Sequence, residues 1–160
     1  MLFRSGGIRT PFIAHWPAGI SARGALRSQP GHVVDLMATF AAVSGSTYPA
    51  ERNGIRVKPT AGVNLAPAFA GQPLARTAPL CFENDGSRAL REGDWKLVSV
   101  AGDAWELYDL ATDPTEMRDL AASQPQRVNA MAARWLEWAK QANVDLAVNP
   151  FARPSAPKAR

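Results

Sequence analysis

The sequence holds one cysteine, Cys81, and two histidines, His15 and His32. A single cysteine excludes a disulfide within the chain and any cysteine-rich metal site. Two histidines exclude a zinc centre built on several imidazoles. Long apolar runs are missing too: those present are short and interrupted, which excludes a membrane-spanning helix. The opening MLFRSGGIRTPFIAHWPAGI has no continuous apolar stretch of the kind a signal peptide needs, because Arg, Gly and Pro break it. The net charge of +4 is scattered apart from the last eight residues, so a basic patch for nucleic acid is not expected. Membranes and nucleic acids are therefore not expected as partners, and the cellular location stays open.

What is present is the composition of a soluble globular protein. The 160 residues are 46% hydrophobic and 20% charged, enough for one domain with a core or two small subdomains. Three regions follow one another. Residues 1–75 are rich in Gly and Pro. Residues 76–145 alternate charged and aromatic residues and then turn helical. Residues 146–160, LAVNPFARPSAPKAR, read as a disordered tail.

In the first region, Pro11 to Trp16 reads as a short strand closed by Pro17 and Gly19. Val33, Leu36, Met37, Phe40 and Val43 recur at steps of three and four, which predicts a helix over 33–43 ended by Ser44 and Gly45. Residues 46–62 read as loop. GVNLAPAFAG predicts a short helix or turn, with Pro67 in its first turn and Gly71 past its end.

The second region predicts four strands: PLCFEN, SRALRE, WKLVSV and WELYDL, separated by the turns NDG, EGD and AGD. Turns this short make an antiparallel meander. Alternation puts Trp95, Leu97 and Ser99 on one face and Lys96, Val98 and Val100 on the other. Asp113-Pro114-Thr115-Glu116 reads as the start of a short helix, with Asp113 as cap and Glu116 reaching back. Ser123 and Gln126 read as a capping box for the last helix. Its stripe of Val128, Met131, Trp135, Trp138 and Ala142 predicts an amphipathic helix lying across the small sheet.

Few residues point to chemistry on their own. His15 reads as a core or strand-end histidine, and His32 as a helix-opening residue with a local backbone hydrogen bond. Trp135 and Trp138 read as core, and Cys81 as an inert buried thiol. Asp109, Asp113 and Glu116 read as cap and turn residues, since their spacing fits no calcium loop. Gly6-Gly7 lacks the helix pattern of a phosphate loop. No nucleophile stands at a credible spacing from a general base.

The segments GGIRTPFIAHWPAGI, PGHVVDLMATFAAVSG, GVNLAPAFAG, FENDGSRALREGDWKLV and WELYDLATDPTEMRDLA occur in the order seen at the C-terminal end of the sulfatase family. Over about residues 4–143 the chain most resembles bacterial arylsulfatases. The resemblance implies an α/β (α+β) fold. The chain would be the C-terminal part of an alkaline-phosphatase-like sulfatase, with a small four-stranded antiparallel sheet packed by a long C-terminal helix. Residues 1–75 would be the end of the large α/β domain, as a strand plus a helix. Residues 76–145 would be the small sheet-and-helix subdomain.

Members of that family hydrolyse sulfate esters, or sulfamates. A Cys or Ser in Cys/Ser-x-Pro-x-Arg becomes formylglycine, whose hydrate attacks sulfur. A divalent cation, usually calcium, is held by Asp and Asn. Lys and His residues bind the sulfate and protonate the leaving group. None of this set can be placed here. Cys81 is followed by Phe82-Glu83-Asn84-Asp85, and the family's Asp pairs and sulfate-binding Lys have no counterpart. Ser5 stands where the family usually has Glu, and Asn64 where Ser is common. No catalytic or metal-ligating residue is assigned, and calcium and formylglycine are expected of the whole enzyme only.

The resemblance instead implies a substrate-cleft rim near Gly6, Gly7 and Arg9 and near Asn84, Asp85 and Arg88. Trp95, Trp105 and Tyr108 would pack the small sheet. The expected function is that of the C-terminal piece of an arylsulfatase-like enzyme, inactive alone. Its expected partner is the missing N-terminal sulfatase domain, or a second copy. Two alternatives are a non-catalytic interaction module derived from a sulfatase and the tail of a related phosphoesterase or phosphonate hydrolase. Full-length relatives are cytoplasmic or periplasmic.

Overall fold

The computed structural model describes residues 4–145, so the expected tail over 146–160 lies outside the described residues. The described chain divides into two units: residues 4–11 with 78–145, and Phe12–Thr77.

The first unit begins with one helical turn, α1 (Ser5–Ile8). The chain then enters the second unit. The expected strand from Pro11 to Trp16 is not formed: this stretch is irregular, and Phe12, Ile13 and Trp16 are exposed. A strand needs a neighbour to satisfy its backbone groups, and the described residues supply none. His15, expected in a core or at a strand end, is exposed in the same stretch.

The predicted helix appears as α2 (Asp35–Ser44) and ends at Gly45. Its apolar stripe does not face inward, however. Val33 is 72% exposed and Phe40 60%, while Asp35 and Thr39 are buried. The reason is that the unit is pinned by polar groups. The Asp35 carboxylate accepts from the His32 N–H at 2.7 Å, the Val63 N–H at 2.9 Å and the Arg76 guanidinium at 2.5 Å. The Thr39 hydroxyl accepts from the Leu65 N–H at 2.9 Å and donates to the Asp35 carbonyl at 2.7 Å. A buried carboxylate must be paired, and these partners decide which side of the helix turns inward.

The loop expected over 46–62 contains a small hairpin, β1 (Glu51–Arg52) and β2 (Ile55–Arg56). It turns at Asn53-Gly54, both with positive φ, a hairpin dipeptide that was legible in the sequence. A short helix, α3 (Ala66–Phe69), follows with Pro in its first turn, as predicted. The Asn64 side chain accepts the Ala66 N–H at 2.9 Å.

Back in the first unit, the chain forms the expected meander: β3 (Leu80–Asn84), β4 (Ser87–Glu92), β5 (Trp95–Ser99) and β6 (Glu106–Asp109), in the order β3-β4-β5-β6. All pairs are antiparallel, with Cys81 opposite Leu90, Leu90 opposite Leu97 and Leu97 opposite Leu107. Asp85 and Gly86, at φ 52° and 74°, make the tight β3–β4 turn. The last helix, α4 (Pro125–Gln141), covers one face, with Leu90, Leu97, Leu107, Met131, Trp135 and Ala139 as the core. On the other face Ala89 and Val98 are buried against Ile8, Phe82 and Val100, so the sheet is covered on both sides.

Two predicted starts are corrected. Residues 113–116 form a turn and not a helix, because Glu116 adopts a left-handed φ of 60° and its carboxylate is drawn into the sheet. Ser123 does not cap α4: its hydroxyl donates to the Leu120 carbonyl, and Gln124 is the cap residue, without a side-chain bond.

Candidate functional site

The sheet face opposite α4 carries a buried ion pair. Lys96 and Glu116 are each 1% exposed. Lys96 Nζ donates to Glu116 Oε1 at 2.7 Å. The same oxygen accepts the Ser5 N–H at 2.7 Å and the Ser5 hydroxyl. Arg4 donates to the Glu116 carbonyl at 2.7 Å and to the Glu106 carboxylate at 2.6 Å. Its guanidinium lies 4.9 Å from the Tyr108 ring centre, and the Tyr108 hydroxyl donates to Glu106 at 3.0 Å.

Burial pushes the Lys96 pKa down, and the hydrogen bond to Glu116 works against it. Burial, then the bond to Glu106, pushes Tyr108 up. Chemically this is a tie. The Ser5 hydroxyl shares a carboxylate oxygen with an ammonium group, so it is held as a donor and not freed as a nucleophile. The cluster fixes α1, with its Gly6-Gly7 turn, against the sheet.

The α4 face is aromatic. Trp105 meets Trp135 edge-on at 5.9 Å, and Trp135 lies 6.1 Å from Trp138. The Trp135 indole N–H donates to the Phe82 carbonyl at 3.0 Å. Arg127 lies 4.0 Å over the Trp95 ring, and Arg134 pairs with Glu92. Arg88 lies 4.4 Å from the Trp105 ring centre and 5.5 Å from that of Trp135. A cleft of about 310 Å³ opens there, lined by Arg88, Trp105, Ala132, Ala133, Trp135 and Leu136.

The two groups of expected rim residues lie apart. Gly6 and Gly7 sit in α1 and Arg9 is exposed just after it, beside the sheet face opposite α4. Asn84 and Asp85 are exposed at the β3–β4 turn, and the Arg88 side chain reaches the α4 face. The sheet separates Arg88 from the Gly6–Arg9 turn. Trp95, Trp105 and Tyr108 do pack the sheet, Tyr108 on the face away from the two tryptophans. The buried Lys96–Glu116 pair was missed as a pair. Its only sequence signal was a lysine set inside the apolar strand WKLV.

The residues present do not fit formylglycine or a bound calcium ion. Cys81 lacks the Cys-x-Pro-x-Arg context, and burial, followed by nearby Glu92, pushes its thiol up to about 12. Among the described residues no three His, Cys, Asp or Glu are grouped to hold a metal. Asp109 accepts the Ala111 N–H at 3.0 Å and Asp113 the Arg118 N–H at 2.8 Å, which is turn duty. His32 Nδ1 accepts the Val34 N–H at 3.2 Å, the expected local bond. No described helix is long and apolar enough to cross a membrane.

The sequence over residues 2–141 matches the family model of the N-sulphoglucosamine sulphohydrolase C-terminal domain. The chain belongs to this sulfatase C-terminal family. A curated relative, the N-acetylgalactosamine-6-sulfatase of Canis lupus familiaris, is 32% identical over 91 residues, 57% of this chain and 16% of the relative. The crystal structure of Ps i-CgsB in complex with k-i-k-neocarrahexaose is 26% identical, with a TM-score of 0.64, covering 78% of this chain and 27% of that one. The structure of BT1596, a 2-O GAG sulfatase, shares the fold at 24% identity and a TM-score of 0.52, over 69% of this chain and 25% of that one. The sulfatase C-terminal chain therefore spans about a sixth to a quarter of the length of these relatives. Its small sheet and covering helix are those of the alkaline-phosphatase-like sulfatases.

Proposed function

We propose that this chain serves as the C-terminal domain of a sulfuric ester hydrolase acting on a sulfated saccharide, and that it supplies no catalytic group itself. The observation that carries this is the match over residues 2–141 to a sulfatase C-terminal domain, in a chain whose buried ionised groups are tied to one another. The saccharide is supported by the relatives, which are named for an N-acetylgalactosamine sulfate, a neocarrahexaose and a GAG. Formylglycine and a calcium ion would then belong to the part of the enzyme that its relatives have and this chain does not span. The small share of its relatives' length that this chain spans supports the N-terminal sulfatase domain as its partner.

The test compares the chain alone with the longer product encoded when the reading frame upstream of Met1 is included, each assayed with p-nitrophenyl sulfate and calcium. The expected result is no turnover by the chain alone and hydrolysis by a product carrying Cys-x-Pro-x-Arg. Turnover by the chain alone, or hydrolysis of a phosphonate ester in place of the sulfate by the longer product, overturns the proposal.

A second reading, a non-catalytic interaction module, draws on the exposed apolar side of α2, where Val33, Met37 and Phe40 are open to water. It predicts a concentration-dependent oligomer of the chain in sedimentation. A strictly monomeric chain removes it.

A further inference from the structure

Among the described residues Arg88 makes no ion pair: Glu83 stands opposite it in the β3–β4 register, but its carboxylate accepts the Gly86 N–H. Its guanidinium lies over the Trp105 ring and near Trp135, and its Nε is buried without an acceptor. Each neighbouring arginine of the same unit has at least one protein acceptor, although the Arg4 Nε is also buried without one. Arg4 binds Glu106 and the Glu116 carbonyl, Arg91 the Gly93 carbonyl, Arg127 the Gln124 side chain and Arg134 Glu92. Among the described residues no carboxylate or carbonyl takes an Arg88 proton. A guanidinium with no protein acceptor is free to bind one from outside.

The surroundings give that acceptor a shape. Ala132 and Ala133 are the small residues of α4 that leave the cleft open beside Arg88, and Trp105 and Leu136 give it apolar walls. At about 310 Å³ it is near the lower end of the size of small-molecule sites, room for about one ring. A guanidinium held over an aromatic face by cation–π attraction still has N–H donors to offer a planar or tetrahedral oxyanion.

We propose that the Arg88–Trp105 cleft is an anion site for one sulfated sugar residue, on the α4 side of the sheet and separate from the Gly6–Arg9 turn. Arg88 holds the sulfate oxygens, and the apolar walls hold the ring. The choice of a sugar as carrier rests on the function proposed above. Burial pushes the Arg88 pKa down, yet an arginine stays charged at neutral pH, and poor hydration strengthens its pull on an anion. In an enzyme working on a polymeric sulfated substrate, such a site would hold a part of the chain that is not being cleaved.

The experiment uses the full 160-residue chain, labelled with ¹⁵N, and follows the indole N–H signals of Trp105 and Trp135 during titration. The probes are galactose 6-sulfate, galactose and inorganic sulfate. Galactose 6-sulfate is expected to shift both signals with a saturating curve. Galactose should leave them in place, and inorganic sulfate should bind at least tenfold more weakly than the sulfated sugar. Arg88→Gln should lose at least tenfold in affinity. Ala133→Leu, at an exposed helical position that tolerates the change, should narrow the cleft and weaken binding even if Arg88→Gln fails to fold.

No shift with galactose 6-sulfate, or equal affinity in Ala133→Leu and the parent, overturns the site. Equal binding of galactose overturns the role of Arg88, and equal binding of inorganic sulfate overturns the sugar. Tighter binding of an acidic peptide would reassign the cleft to a protein partner and overturn the proposal as well. Binding is read without turnover. A longer product inactive on sulfate esters would therefore defeat the proposed function and leave this result standing.

Discussion

Lys96 sits between Trp95 and Leu97 in a strand whose faces are both covered, and among the described residues its charge is met by Glu116. Removing one partner of such a pair strands the other. Glu116→Gln should cost about 3–5 kcal/mol in urea unfolding. Adding Lys96→Met should recover most of that, because Gln still accepts the Ser5 N–H. A double variant no more stable than Glu116→Gln alone would show that Lys96 is not the partner that matters. Cys81 offers a pH test. Its folded thiol ionises near 12 against an ordinary 9. At pH 8 only about one thiol in ten thousand is then the reactive thiolate. Alkylation of the native chain should rise about tenfold per pH unit from 8 to 11 with no plateau above 9. The raised value also stabilises the fold fully below pH 9, and that contribution is lost as the pH rises toward 12. A plateau near pH 9 would place the thiol in water.

Among the elements, those announced by tight turns were the legible ones. NDG and the alternation around WKLV fixed the meander and its two faces, and the stripe of Met131 and Trp135 fixed α4. Two of the misreadings share a cause: a local pattern was outvoted by a distant partner. The stripe of α2 lost to the three donors on Asp35, and the helix expected at 113–116 lost to Lys96. The capping box at Ser123 lost to Pro125, which starts α4 one residue after Gln124. A Ser that caps a helix loses about 1 kcal/mol when changed to Ala. Ser123→Ala should therefore cost less than about half of that, since its hydroxyl only supports the turn before α4. A loss of a full kcal/mol in thermal unfolding would restore the box.

At the scale of the whole molecule, family and fold class could be read from five ordered segments, and the candidate site only in fragments. Arg88 was named as a rim residue, but its place across the sheet from Gly6–Arg9 depends on strand parity and on which face α4 covers. The tie between Ser5 and Glu116 spans 111 positions, a separation at which sequence patterns are silent. That same tie makes the sheet unit discontinuous, with Phe12–Thr77 entering and leaving it as an excursion. The entropy of closing such a loop grows only with the logarithm of its length, about 0.6 kcal/mol for each doubling. A flexible Gly/Ser insertion at the exposed turn around Gly24 should accordingly lower the stability of the sheet unit by less than about 1 kcal/mol. A larger loss in urea unfolding, followed through the tryptophans of that unit, would contradict this. The excursion can thus grow, shrink or diverge at little thermodynamic cost while the sheet stays closed. Natural variation in length should gather there and spare the meander.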